Sequence, residues 1–190
     1  MAAITPWYIA VEPFDPSFGE KWTKYIELSK LPKLKELVSF DRLLCPCVIK
    51  ELVAEDWSHN VHEDFATNFF RNLEYLLERV SQIRPVNVLA AVRNLPYECR
   101  DAFRDPRFEF KGYDLVEIDL NVGTSALTNG GGYFSKAFRS DELNDAELIT
   151  AFDRADEINY LLKVHYPYEL HAQCHVWALW KMKNKLSTGN

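Results

Sequence analysis

The chain reads as a single α+β domain, a mixed β-sheet of about five strands packed by three to four helices. Three observations predict this class. Several short stretches alternate apolar and polar residues, the period of a strand with one covered face. Other stretches repeat apolar residues every three to four positions, the period of an amphipathic helix. The chain has 190 residues, 47% hydrophobic and 26% charged. That length and balance suit one globular domain, residues 1–190, with a frayed tail at 187–190. At 14%, the aromatic content calls for an aromatic-rich core.

Trp7, Ile9 and Val11 alternate with Tyr8, Ala10 and Glu12 and predict the first strand. Asp15 and Pro16 supply a helix start, Phe18, Trp22 and Ile26 its stripe, and Pro32 its stop. Residues 37–44 leave a short strand open, and Pro46 begins a helix reaching Asp56. Asn60 with Glu63 forms a capping-box pattern. The stripe behind it is Phe65, Phe69, Leu73, Leu76, Leu77 and Val80. The almost wholly apolar run Val86–Val92 predicts a central strand covered on both faces.

Phe108 and Phe110 alternate with charges, and Lys111-Gly112 marks a hairpin turn or a bulge. Val116, Ile118, Leu120 and Val122 then alternate with polar residues as a strand with one wet face. Gly123-Thr124-Ser125 and Gly130–Gly132 frame a polar loop. Asp145 offers a cap for a helix with the stripe Leu148, Phe152, Ala155, Ile158 and Leu162. Cys174, Val176, Ala178 and Trp180 predict the last strand.

Charge and composition narrow the functional classes. The formal net charge is −6, and Lys and Arg are scattered without a run, which speaks against a nucleic-acid partner. No apolar stretch has the roughly 20 residues of a membrane span. The first residues lack the charged and apolar segments of a secretory signal. Four cysteines are too few for a disulfide scaffold, so a reduced cytoplasm is expected.

Four groups of residues carry possible chemistry. Cys45, Cys47, His59 and His62 have zinc-ligand types, but Cys-x-Cys is too tight for the usual pairing, so no metal is expected. His171, Cys174 and His175 suggest a nucleophile beside a base. Adjacent strand residues face opposite ways, and Cys174 falls in the apolar register, which makes it a core residue. The glycine-rich loop lacks the ending of a phosphate-binding loop, and no cofactor is expected there. Thr128 and Asn129 beside that loop, with His171 or His175 as proton carrier, would form the site of a small-molecule enzyme.

The fourth group is acidic. Glu55 and Asp56 flank Trp57. Asp141, Glu142, Asp145, Glu147, Asp153, Asp156 and Glu157 crowd a second stretch in which Arg154 is the only basic residue. Carboxylates around an aromatic anchor suit a basic protein partner. The expectation is a non-catalytic, acidic binding module of the inhibitor or immunity type, occluding a toxin or nuclease. An enzyme at the glycine-rich loop and a metal-binding regulator are the alternatives. Sequence leaves the oligomeric state open.

Overall fold

The computed structural model describes residues 5–13, 33–36, 38–40, 69–81, 86–94, 101, 103–119, 122–129 and 133–183, with single positions at 20, 24, 27. The expected metal group at 45, 47, 59 and 62, the Trp57 cluster, the helix from Pro46 and the triple glycine lie outside these residues. Of the helix expected after Asp15, the described residues Glu20, Lys24 and Glu27 are helical.

The α+β class holds. Strand β1 is Trp7–Val11, β2 Asn87–Arg93, β3 Phe108–Asp119, β4 Val122–Ser125 and β5 His175–Met182. They form one sheet in the order β1-β2-β5-β3-β4. All four ladders are antiparallel rather than mixed. Alternation shows which way side chains point and is silent on strand direction, so the pattern did not separate the two. The apolar run in β2 reflects a sheet sandwiched on both faces, a condition that parallel sheets usually meet and this antiparallel one also meets.

Helix α1 is Leu73–Arg79, α2 is the single turn Ala126–Asn129, and α3 is Phe152–His165. On one face of the sheet, Leu115, Val176, Ala178 and Trp180 pack with Leu73 and Leu76 of α1 and Ala155, Ile158 and Leu162 of α3. On the other, Ile9, Leu89, Val116, Trp177 and Leu179 meet Val38, Phe40, Phe69 and Leu148. Trp177 anchors this second layer, its ring centroid 5.0 Å from Phe40 and 5.7 Å from Phe69. Aromatic pairs at such distances add to the stability that burial alone provides.

Several expected elements shift. The helix running from Asn60 to Val80 does not include Phe69 and Phe70. Phe70 instead bridges Tyr8 of β1 in extended conformation, and Asn72 caps the shorter helix α1 by accepting from the Tyr75 N–H at 3.1 Å. Asp145 does not cap α3; the residue before that helix is Ala151, and the Asp145 carboxylate lies 3.8 Å from Lys35. Gly123-Thr124-Ser125 is strand β4 and not a polar loop. The stretch expected as one strand over 116–122 ends at Asp119 and turns back into β4, with Asp119 opposite Val122.

At Lys111-Gly112 the bulge reading holds. Phe110 pairs with Trp180 and Gly112 with Leu179, leaving Lys111 as the extra residue. Gly112 has φ +146°, and a β-carbon there would lie 2.8 Å from both the Ile149 carbonyl oxygen and the Leu148 β-carbon. The residue must be glycine because the 144–149 segment docks backbone-to-backbone, Tyr113 and Ile149 exchanging hydrogen bonds of 2.7 and 3.0 Å.

Candidate functional site

Three places combine polar or exposed side chains with defined geometry. The first is a recess at one end of the sheet. Arg93 ends β2, His175 begins β5, and Val116, Glu117 and Ile118 border them from β3, with Trp177 as the floor. Asn94 follows β2 in left-handed backbone, φ +51°, and its side-chain nitrogen lies 3.1 Å from His175 Nδ1. If the amide donates there, the ring proton resides on Nε2. Burial, together with Arg93 and Lys163, holds the imidazole below its ordinary pKa, so it is neutral at physiological pH. The recess holds about 50 Å³, room for a water or two, against the roughly 300 Å³ or more of a small-molecule pocket.

The second place is a buried polar network. Asp114, 0% exposed, accepts from Ser125 Oγ at 2.6 Å, from the Leu115 N–H at 2.8 Å and from Ser39 Oγ at 3.5 Å. Ser125 Oγ in turn accepts from the N–H groups of Leu127 and Thr128 at 3.1 and 3.3 Å, which starts the α2 turn. Burial pushes the Asp114 carboxyl up to about 6 while these hydrogen bonds pull it down. The network joins β3, β4 and the 38–40 segment without reaching solvent, and its role is structural.

The third place is the outer face of α3 and the turn after it. Tyr160, Val164, Tyr168 and Leu170 are exposed large apolar side chains on this stretch, and Tyr168 is 100% exposed. Exposed Tyr133 joins them, its hydroxyl donating to Glu169 at 2.9 Å and its ring 5.7 Å from Tyr166. Among the described residues these five are all the exposed large apolar side chains; four fall within residues 160–170, and Tyr133 meets that stretch at Glu169 and Tyr166. Asp153, Asp156 and Glu157 occupy the same helix face at the i, i+3, i+4 spacing that lines up neighbours.

The expected site residues distribute unevenly among these places. Asp141, Glu142 and Glu157 are already engaged: Asp141 with Arg139 at 2.6 Å, Glu142 and Glu157 with Arg154, each at 2.7 Å. The Arg154 hydrogen bonds hold the Glu142 carboxyl below its ordinary range. Asp153 and Asp156 are exposed, and among the described residues neither forms an ion pair. Glu147, counted with the acidic stretch, is buried instead, because Ala146, Leu148 and Ile149 around it enter the core.

The residues of the enzyme alternative have different surroundings. His175 lies in the recess, whereas His171 sits in the 3-10 turn Leu170–Gln173 with its ring 4.8 Å from Phe134. The strand starts at His175, too late to put both histidines on one face. Thr128 is fully buried, and its hydroxyl has no hydrogen-bond partner among the described residues. Asn129 ends α2. Cys174 is buried in the core as its register implied, and burial pushes its thiol up. A protonated thiol is a poor nucleophile. Among the described residues no group of three His, Cys, Asp or Glu side chains is placed to hold a metal ion, and no helix is long and apolar enough to cross a membrane.

The exposed tyrosines on and beside α3, Tyr160, Tyr168 and Tyr133, escaped the sequence reading. Tyr160 sits on the polar side of a helical stripe, and a tyrosine there gives the same signal whether it packs or projects. Family models, curated proteins and solved structures were each compared with the chain, and none matches it.

Proposed function

We propose that the protein is a non-catalytic, cytoplasmic protein-binding module that covers a basic partner of the toxin or nuclease type through the outer face of α3. The observation that carries this reading is the gathering of the exposed large apolar side chains beside Asp153 and Asp156, whose carboxylates form no ion pair among the described residues. Contiguous exposed apolar surface rimmed by polar groups favours association. Tyrosine anchors within a charged rim are the composition of protein interfaces. The net charge of −6 adds long-range attraction for a basic protein. Glu142, Arg154 and Glu157 form a fixed salt-bridge cluster at the edge of the surface and support its shape more than its charge.

Occlusion is the mechanism. Tyr160 and Tyr168 fill the contact, while Asp153 and Asp156 meet Lys or Arg. A photo-crosslinking residue at Tyr160, and a control at Glu109 on β3, test this in lysate at low and high salt. A basic protein joined at 160 alone when irradiated at low salt, and no longer joined when irradiated at high salt, is the expected result. Asp153→Asn with Asp156→Asn then slows association, and Tyr160→Ala weakens the purified complex by about thirtyfold, a hot-spot loss. Equal crosslinking at both positions, or an affinity that none of these changes alters, overturns the reading.

A further inference from the structure

Glu147 stands out among the described carboxylates. The residue is 1% exposed, and neither carboxylate oxygen has a hydrogen-bond partner among the described residues. Its backbone is left-handed, φ +60°, a region that a side chain rarely occupies without compensation from the surroundings. Ala146 and Leu148 on either side are buried in the second core layer, so the whole turn is pinned inward.

The turn is closed by backbone bonds, the Asn144 N–H to the Leu148 carbonyl at 3.0 Å and the Glu147 N–H to the Asn144 carbonyl at 3.2 Å, and by the Asn144 side chain. Asn144 Oδ1 accepts from the N–H groups of Ala146 and Leu148 at 2.8 and 3.1 Å, and Asn144 Nδ2 donates to the Lys111 carbonyl at the bulge at 2.8 Å. On its outer side the turn carries another segment. The Asp145 carbonyl accepts from the N–H groups of Lys35 and Glu36 at 2.8 and 3.1 Å, and Lys33 Nζ donates to the Asp141 and Leu143 carbonyls. If the turn moves outward, residues 33–36 lose their backbone anchor.

We propose that residues 144–148 form a pH-dependent latch, closed while Glu147 is a neutral acid, which opens when that acid ionises and releases the 33–36 segment. A carboxylate buried without a donor is costly, so the closed turn retains the proton and the open turn loses it. Among the described residues, the charges on the elements packed around the turn have partners of their own. Lys33 spends its donors on carbonyls, though its charge eases ionisation of Glu147; Lys35 pairs with Asp145; Glu36 pairs with Lys111 and Lys181; Asp114 lies within its own serine network. Burial pushes the Glu147 carboxyl up to about 7. The sign follows. A carboxyl raised in the closed form favours closure below the ordinary carboxylate range, and this advantage is lost as pH rises through the raised value.

Hydrogen exchange on the intact protein tests the latch, each rate corrected for intrinsic pH dependence. The reporters are the N–H groups of Lys35, Glu36 and Ile149, with Ala90 and Ala91 of β2 as internal references. Between about pH 5.5 and about pH 7.5, reporter protection falls by about tenfold or more, and the reporters stay less protected than the references throughout, the mark of local opening. In Glu147→Gln the fall disappears. Glu147→Gly, which removes the acid and relieves the left-handed backbone, serves if the glutamine variant folds poorly, and it too gives a flat profile. Reporter protection independent of pH in the wild type, or an undiminished fall in the variants, overturns the proposal.

Discussion

Gly112 shows how a single residue governs a wide area. Its positive φ and the 2.8 Å approach of the Ile149 carbonyl leave no room for a side chain. Gly112→Ala is expected to cost roughly 2–4 kcal/mol, from backbone strain plus displacement of a packed segment. Denaturant unfolding measures it, and a loss below the usual spread of surface substitutions would show that the 144–149 segment yields easily. The sequence marked this position as a turn or bulge but could not show what lies against it. Cys174 was legible, because its register alone placed it in the core. Glu147 was not, since a glutamate within an acidic run looks the same whether water or Leu148 is its neighbour.

Among the elements, strands were read better than helices. β1, β2 and β5 lie where alternation and apolar runs put them, since their side chains follow the pleat. The helical stripe before β2 was carried through Phe69 because Phe69 and Leu73 share a helical spacing. Phe69 in fact packs on Phe40 and Trp177, and the helix starts only after it. The working cap is Asn72. Asn72→Ala should lower stability by about 1 kcal/mol, seen as a shifted unfolding midpoint with an unchanged slope. An unchanged midpoint would mean that α1 is held by Leu73 and Leu76 alone. Arg107 also tethers this helix, its guanidinium lying between Asp105 at 2.7 Å and Glu74 at 2.6 Å. Such partly exposed pairs contribute little individually.

For the whole molecule, the five-strand sheet and its helices were largely foreseeable, whereas strand direction and the gathering of exposed tyrosines were not, because both depend on contacts far apart in sequence. The fold's response to pH combines opposed contributions. Glu142 and Asp105, held low by arginines, lose their stabilising contribution as pH falls; His171 and His175, held low by burial, also destabilise the fold in acid. Asp114 acts in the other direction. Raised by burial, its contribution is full below the ordinary carboxylate range and is lost as pH rises through about 6. The unfolding free energy of the wild type minus that of Asp114→Asn should therefore drop by about 2–3 kcal/mol between about pH 4 and about pH 7. A difference that is flat with pH would mean that Asp114 titrates normally. The bulge in β3 has a last consequence, for deletion. Phe108 and Phe110 share the helix-side layer with Tyr113 and Leu115 only because Lys111 is supernumerary. Excising that residue restores strict alternation and leaves every side chain on its side, while excising any residue from 113 to 116 turns the remainder of the strand inside out. A chain that shortens this strand by one residue and keeps both core layers is thus expected to lose it at the bulge.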